Sequence, residues 1–390
     1  MSSRMSSKMS SRMSSRMIII AILTCFGLTA CSEVELCDST HPHQTQAKFL
    51  YEWGDNETSK PDTMGVLMYR VVNKWSQLAE ICTYNGADTT TILPGEYKFI
   101  TFPLNGKEFG YSDVDRFINE KGADFTLHDI GINYKEYAIS DPELKKGLAG
   151  WDDYNSYARY IQPDVDIMFY DSTQMMNVYR DQNFTHTFHP QALSQNIDIY
   201  FDIKKDVGNR PFVIDSVWAE ISGIPRHLNL RNGYLDITKT SKTMFKTDIT
   251  AKDGTNADYD DNTSLRCHGN INVSGIVNVQ KKPGESETDV LRKLYGPGIM
   301  QVIIFSRTKD RNGKTVRRKW QGIINLYRPI AKADLTIISP DGGYVKRKNE
   351  HGIIDITSKL TIDGDKIITN VSGDDPFGGW IPTSSIILDI

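Results

Sequence analysis

Apolar and polar residues alternate with a period of two in many short segments of the chain. The clearest segment runs from Asn196 to Ile203, where Ile197, Ile199 and Phe201 alternate with polar residues. This is the pattern of a strand that buries one face. Comparable segments predict further strands at 49–53, 97–102, 165–169, 217–221, 271–273, 302–305, 320–327, 335–338, 353–356, 366–371 and 385–390.

Turn and helix signals between these segments favour antiparallel pairing. Asn312-Gly313 lies between two apolar runs and predicts a hairpin with a type I′ turn, which needs two residues of positive φ. Only two short helices are predicted, at 112–121 and at 286–294, the second with Ser286 and Asp289 as a capping pair. Because helices do not alternate regularly with strands, a parallel βαβ sheet is not expected.

The length of 390 residues suggests two domains. A polar stretch without clear periodicity, residues 172–190, precedes the strongest strand and marks the boundary. We therefore predict an all-β protein with few short helices, built from two tandem antiparallel β-sandwich domains at 49–185 and 186–390. The segment 122–162, rich in Tyr and Asp, is predicted to be a long loop or insertion in the first sandwich.

The beginning of the sequence has the pattern of a secretory signal. A basic Met-Ser-Ser repeat over 1–16 is followed by an uncharged apolar run at 17–28, shorter than the about 20 residues of a spanning helix. The run ends in Leu28-Thr29-Ala30-Cys31, the order of a bacterial lipobox, in which small residues precede the cut and the cysteine thiol carries the lipid. We expect residues 1–30 to be a lipoprotein signal peptide, Cys31 to be lipidated, and 31–48 to be a linker.

Charge and cysteine content narrow the class of protein further. The net charge of −4 gives no overall basic character of the kind that nucleic-acid binding requires. Removal of the signal and lipidation of Cys31 would leave Cys37, Cys82 and Cys267 as free thiols. This odd number of scattered cysteines does not form a disulfide framework, although one bridge among them is possible. Cys37 with His41 and His43 lacks a second ligand pair at a standard metal spacing, so no metal is predicted.

The sequence carries no motif for catalysis. It has no nucleophile elbow, phosphate loop, zinc-protease motif or dinucleotide fingerprint, so neither an enzyme nor a small-molecule substrate is predicted. The acidic run at 258–262 lacks EF-hand spacing and is expected to be a solvated loop rather than a weak calcium site, and no cofactor is predicted. Trp151, Tyr154 and Tyr157 cluster with polar residues and are either buried rings or a surface that stacks sugars.

Several motifs together resemble a known group of lipoproteins. After Cys31 come Cys37 and His41-Pro42-His43, then a strand ending in Trp53 and the apolar segment 64–69. Leu93-Pro94-Gly95-Glu96-Tyr97 and, near the C-terminus, Ile354-Asp355-Ile356-Thr357 and Gly378-Gly379-Trp380 follow in the same order. In this order and spacing the chain resembles the Bacteroidetes lipoproteins related to the anchor subunits of fimbriae, the fimbrillin-associated anchor family.

The resemblance implies two transthyretin-like sandwiches held at the cell outer membrane by lipid, exposed at the surface, without catalytic residues. It also implies fimbrial subunits as partners, joined when an extended strand of one subunit completes the sheet of another. The apolar segment Ile386-Ile387-Leu388 suits such pairing, although an ordinary edge strand has the same pattern. The alternative hypothesis is a surface glycan-binding lipoprotein of a polysaccharide uptake system, with Trp151, Tyr154 and Tyr157 as its contacts.

Overall fold

A computed structural model describes residues 45–56, 58–71, 77–84, 89–104, 109–112, 131–141, 158–164, 168–180, 182–206, 212–230, 232–251, 264–338, 343–363, 366–369 and 381–388. The described strands, in chain order, are β1 (Thr45–Tyr51), β2 (Met64–Val71), β3 (Gln77–Tyr84), β4 (Thr89–Ile92), β5 (Gly95–Pro103), β6 (Phe109–Ser112), β7 (Gly131–Tyr134), β8 (Tyr160–Ile161), β9 (Phe169–Ser172), β10 (Met176–Val178), β11 (Phe184–Phe188), β12 (Gln191–Ala192), β13 (Gln195–Asp206), β14 (Phe212–Pro225), β15 (His227–Asn229), β16 (Tyr234–Asp236), β17 (Thr240–Ala251), β18 (Ser264–Val273), β19 (Ile299–Lys309), β20 (Thr315–Asn325), β21 (Thr336–Ile338), β22 (Tyr344–Arg347), β23 (His351–Asp363), β24 (Lys366–Thr369) and β25 (Ile381–Leu388).

Helices are few and short among the described residues. They are a 3-10 turn at Gly54–Asn56, α1 (Glu287–Leu291) and α2 (Tyr327–Ala333). The predicted all-β class is therefore confirmed. The predicted capping pair is also confirmed, because the Ser286 side chain accepts from the backbone of Asp289 while the Asp289 carboxylate accepts from the backbone of Ser286. The helix predicted at 112–121 lies outside the described residues, apart from Ser112 at the end of β6.

The alternating segment around residue 200 forms β13, an interior strand of the largest sheet. Ile197, Ile199, Phe201 and Ile203 are fully buried on one face, as the period of two requires. β13 pairs antiparallel with β18 and parallel with β23. The path through this sheet is β24-β23-β13-β18-β17-β14-β19-β20-β25, with β8 paired to β17.

The large sheet curls so that its two ends approach each other. β24 and β25 lie at opposite ends of the path, yet Cα atoms of the two strands come within 8 Å of each other. Ile197, Val217, Ile304 and Trp320 of this sheet belong to one core cluster that also includes Phe102 of β5.

The first part of the chain contributes two smaller sheets. Their orders are β11-β1-β4 and β12-β9-β5-β2-β3, with β10 paired to β5. An aromatic cluster packs between them, and the ring centroid of Phe49 lies 5.2 Å from that of Phe99 and 5.7 Å from that of Phe188. β1 pairs with β11 in parallel, and this pairing joins residues far apart in sequence, such as Ala47 and Phe184.

Strands from the two predicted domains pair with each other. A further sheet has the order β21-β22-β16-β15-β7-β6, in which β7 pairs with β15, and β8 joins the large sheet. β7 and β8 lie within the segment 122–162, so of the two predicted alternatives a loop without strands was wrong, and an insertion stays a prediction. The boundary predicted between residues 185 and 186 falls inside β11, and the division into domains stays a prediction.

The predicted Asn312-Gly313 hairpin joins β19 and β20, but the turn type was predicted wrongly. Gly313 has φ of 77°, whereas Asn312 is not among the described residues with positive φ. The backbone N–H of Gly313 donates to the carbonyl of Asp310, which makes a tight turn followed by one left-handed glycine. The Asp310 carboxylate sets this geometry, because it accepts the backbone N–H groups of Asn312 and Lys314, each at 2.8 Å.

Candidate assembly edge

The predicted site residues fall into two groups in the structure. Leu28, Thr29, Ala30 and Cys31 of the lipobox lie outside the described residues, as do the acidic run at 258–262 and the aromatic residues Trp151, Tyr154 and Tyr157. The predicted assembly segment Ile386–Leu388 is described as part of β25. This segment is therefore the one candidate whose surroundings follow from the structure.

β25 is the last strand of the large sheet on one side. It pairs antiparallel with β20 in a register that places Leu388 opposite Arg317, Ile387 opposite Arg318 and Ile386 opposite Lys319. The register shifts between Gln321 and Gly322, where the sheet has a bulge or irregularity. None of the described strands pairs with the other edge of β25. Where β24 does not approach it, a strand in this position presents backbone N–H and C=O groups to which another strand can pair. A strand inserted between β24 and β25 would need about 10 Å between them, whereas their Cα atoms come within 8 Å.

The strand that supports β25 is held firmly by the core. The Trp320 ring is 1% exposed, and its indole N–H donates to the Ser306 hydroxyl at 2.8 Å. On the opposite face of β20, the side chains of Lys319 and Gln321 are also buried. β20 is thus buried on both faces along this stretch, which gives β25 a rigid partner.

Part of the outer face of the large sheet is covered by a segment from the first half of the chain. Tyr137 and Tyr160 form an antiparallel bridge, with backbone N–H···O distances of 2.8 and 2.9 Å, and they pack with Met244 and Ile303. The Tyr160 hydroxyl donates to the Glu220 carboxylate at 2.7 Å. The bridge brings together the two ends of the stretch that contains Trp151, Tyr154 and Tyr157.

A charged network fixes this covering segment to the sheet. The buried Glu220 carboxylate also accepts a hydrogen bond from the Lys242 ammonium group. Nearby, the Glu136 carboxylate accepts from the Ser241 hydroxyl and lies 3.2 Å from the guanidinium group of Arg226. The Glu136 contacts join the first predicted domain to the second. Glu220 and Lys242 both belong to the second, and Lys242 is the register partner of Tyr160 from the first.

A second polar network lies on the face of β13 that points away from the core. The Asp198 carboxylate accepts from the imidazoles of His268 and His351, each at 2.7 Å, and from the Asn270 amide at 2.8 Å. Burial favours a raised pKa for Asp198, but these hydrogen bonds outweigh it and hold the pKa below its ordinary value. The Tyr200 ring stacks on the His268 ring at a centroid distance of 4.5 Å.

No metal or thiol chemistry is evident in the described part of the chain. Within those ranges, no group of three or more His, Cys, Asp or Glu side chains is placed to hold a metal ion. Cys267 is a free thiol buried in the described part of the chain, and burial raises its pKa to about 12. None of the described helices is long and apolar enough to cross a bilayer.

The Pro94-Gly95 turn of the family-like motif is fixed by Arg70. The Arg70 guanidinium group donates to the Pro94 carbonyl and lies 5.9 Å from the centroid of the Tyr97 ring. A Cβ on residue 95 would lie 2.6 Å from the Arg70 side chain, so a larger residue would require Arg70 to move. The Tyr97 hydroxyl donates to the Leu93 carbonyl at 2.8 Å, which closes the turn on the other side.

Comparisons with known proteins find similarity in structure alone. No family model and no curated protein sequence matches the chain. Solved structures that it resembles include a candidate adhesin from Bacteroides ovatus, at 9% identity and a TM-score of 0.46, with 86% of this chain and 98% of that chain covered. A candidate adhesin from Bacteroides thetaiotaomicron matches at 11% identity and a TM-score of 0.42, with 90% and 97% covered.

A third similar structure is the fimbrial anchor protein Mfa2 from Porphyromonas gingivalis. It matches at 8% identity and a TM-score of 0.38, with 88% of this chain and 97% of that chain covered. At these identities the similarity concerns the fold. All three TM-scores are below 0.5.

Proposed function

We propose that this chain is a non-catalytic outer-membrane lipoprotein that anchors or terminates a fimbrium by pairing its strands with those of a fimbrial subunit. The lipobox ending at Cys31 supports the membrane anchor. The order of motifs from Cys37 to Trp380 supports the fimbrial role.

The position of β25 is the observation that carries the proposal. β25 ends the sheet path, and its outer edge has no partner among the described strands. When an extended segment adds to such an edge, the backbone hydrogen bonds supply affinity and the alternate side chains supply specificity. Ile386 and Ile387 lie opposite Lys319 and Arg318, so the apolar segment predicted from sequence is the part of β25 that would meet the partner strand.

Two neighbouring proline substitutions test this role of the edge. In an antiparallel strand, adjacent residues direct their backbone N–H groups to opposite neighbours. Of Ile386→Pro and Ile387→Pro, one therefore removes a donor that faces β20, and the other removes a donor that faces the outer edge of β25. The variant with the lower urea midpoint is the one that lost the donor facing β20, because it lacks a hydrogen bond within the sheet.

Fimbrial assembly is then measured for both variants in the native strain by electron microscopy. We expect the variant with the smaller loss of stability to show the larger defect, as shed or lengthened fimbriae. If both variants assemble normally, β25 is not the docking edge. Cys31→Ala tests the anchor separately, since it should abolish acylation and release the protein from the outer membrane.

Glycan binding is the second candidate function. The Tyr137–Tyr160 bridge holds the ends of the stretch with Trp151, Tyr154 and Tyr157 on a rigid sheet, the usual support for a binding loop. Trp151→Ala should then remove binding to polysaccharides on a glycan array. Tyr295→Ala, at an exposed tyrosine in another part of the chain, is the matched control.

A further inference from the structure

The hairpin formed by β19 and β20 concentrates positive charge in a chain that is acidic as a whole. From Arg307 to Lys319 the sequence has seven basic residues and one acidic residue, a net charge of +6, whereas the whole chain carries −4. The basic residues at the tip are exposed: Arg307, Lys309, Arg311, Lys314 and Arg317. We call these five residues the basic tip.

Two members of the basic tip are placed against each other at a cost in stability. Arg307 and Arg317 are direct cross-strand partners in the hairpin. Like charges in this position are destabilising. Asp215 offsets part of the repulsion, with a carboxylate oxygen 3.3 Å from the Arg307 guanidinium group. An external acidic group could offset the remainder.

The turn holds the basic tip in a fixed shape. The Asp310 carboxylate accepts from two backbone N–H groups of the loop, and the left-handed Gly313 completes the turn. Arg311 and Lys314 therefore project from an ordered loop.

The basic tip is continuous with the outer edge of β25, which has no partner among the described strands. Arg317 lies opposite Leu388, so the positive charges begin where β25 reaches the tip end of β20. A strand added to β25 would lie about 10 Å from β20, two strand spacings away. The Debye length at physiological ionic strength is about 8 Å, so charges on the added strand interact with the basic tip where the long Arg and Lys side chains reach towards them.

We propose that the basic tip is a docking surface for an acidic segment of a partner protein that pairs along β25. Only a polypeptide can use both features, because the edge offers backbone hydrogen bonds and the tip selects negative side chains. The inference rests on the proposed function, in which a strand adds to β25. The expected partner is an extended segment that has an excess of Asp and Glu in the part lying next to residues 307–317.

Site-specific crosslinking in the native outer membrane tests the proposal. Asn312, exposed in the loop, is replaced by the photo-reactive p-benzoylphenylalanine, and the adduct is sequenced by mass spectrometry. The crosslink from residue 312 is also measured in a protein that carries both Arg311→Glu and Lys314→Glu. The matched control is Lys48→Glu with Lys281→Glu, which reverses two exposed lysines outside the hairpin.

We expect an adduct with a peptide that has more acidic than basic residues. Its yield should fall about tenfold or more on charge reversal at the tip, because like charges across an interface oppose binding, and should be unchanged in the control. Reversing acidic residues of the partner peptide should restore the adduct with the Glu variants. An adduct with polysaccharide or lipid, a peptide without acidic excess, a yield insensitive to charge reversal, or no adduct overturns the proposal.

Arg317→Glu gives a readout that separates binding from folding. It places opposite charges across the hairpin, so the urea midpoint should rise while the adduct yield falls. A fall in both shows a folding defect and overturns the assignment of Arg317. An acidic peptide from a protein that is not a fimbrial subunit would support the docking surface and refute the fimbrial function.

Discussion

The Tyr160–Glu220 hydrogen bond is the most direct test of how the two halves of the chain are joined. Tyr160 lies in the first predicted domain and Glu220 in the second, and both side chains are buried, at 2% and 5% exposure. Tyr160→Phe removes only the hydroxyl that donates to the Glu220 carboxylate at 2.7 Å. Hydrogen bonds to charged groups contribute about 1.5–3 kcal/mol, so we expect the free energy of unfolding to fall by about that amount.

Urea unfolding measures the change, with tryptophan fluorescence and circular dichroism as independent probes. Tyr295→Phe is the matched control, because Tyr295 is 81% exposed and the substitution should change the free energy of unfolding by less than about 0.5 kcal/mol. Glu220→Gln and the double variant complete a mutant cycle that isolates the pair. A loss for Tyr160→Phe no larger than that of the control would refute the reasoning.

The cycle also bears on the predicted division into domains. If residues 49–185 and 186–390 unfold as separate units, urea should produce two transitions, and the two probes should not coincide. If the strand pairs that cross the boundary join them, both probes should follow one transition, which Tyr160→Phe moves as a whole.

Three further predictions concern stability and reactivity. Asp198→Asn should lower the stability at neutral pH and make it less dependent on pH in the acid range. The lowered pKa of the Asp198 carboxyl stabilises the native state above about pH 4, and this contribution is lost as the pH falls through the native-state pKa. Urea midpoints measured from neutral to acid pH would show the change. An acid slope equal to that of the native chain would contradict this assignment. Gly269→Ala should lower the free energy of unfolding by about 1–3 kcal/mol, because its Cβ would lie 2.2 Å from the Phe245 ring. Gly110→Ala, with open space around the new Cβ, is the control and should leave the urea midpoint nearly unchanged. Cys267, with its pKa raised to about 12, should resist iodoacetamide in the folded protein and react only in urea, as read from the mass of its peptide; rapid labelling without urea would show that the thiol is accessible.

Local sequence patterns predicted the elements whose partners are near in sequence. The sequence predicted three such elements correctly, because each depends on residues within a few positions of one another. They are the alternation in β13, the β19–β20 hairpin and the capping box of α1. β7 and β8 were missed because they are only four and two residues long and pair with β15 and β17, far along the chain. The turn type was missed because the Asp310 carboxylate, two residues before Asn312, decides it.

The candidate site divides in the same way. The apolar segment at 386–388 could be selected from its pattern, but its place at the end of a sheet depends on the whole topology. The basic tip was not predicted because the net charge of the whole chain is negative and does not show a local excess of basic residues. Its concentration became meaningful only when Arg307 and Arg317 proved to be direct partners beside β25.

The parallel pairing of β1 with β11 has a consequence for the time at which the chain can fold. Ala47 pairs with Phe184, so β1 has no partner on that side until more than a hundred further residues have been made. At about 5–20 residues per second, synthesis of that interval takes on the order of 10 s. β7 must likewise wait for β15, and such non-local pairing slows folding further. The nascent chain therefore remains without its finished sheets through much of synthesis, a state that a secretion channel can still thread.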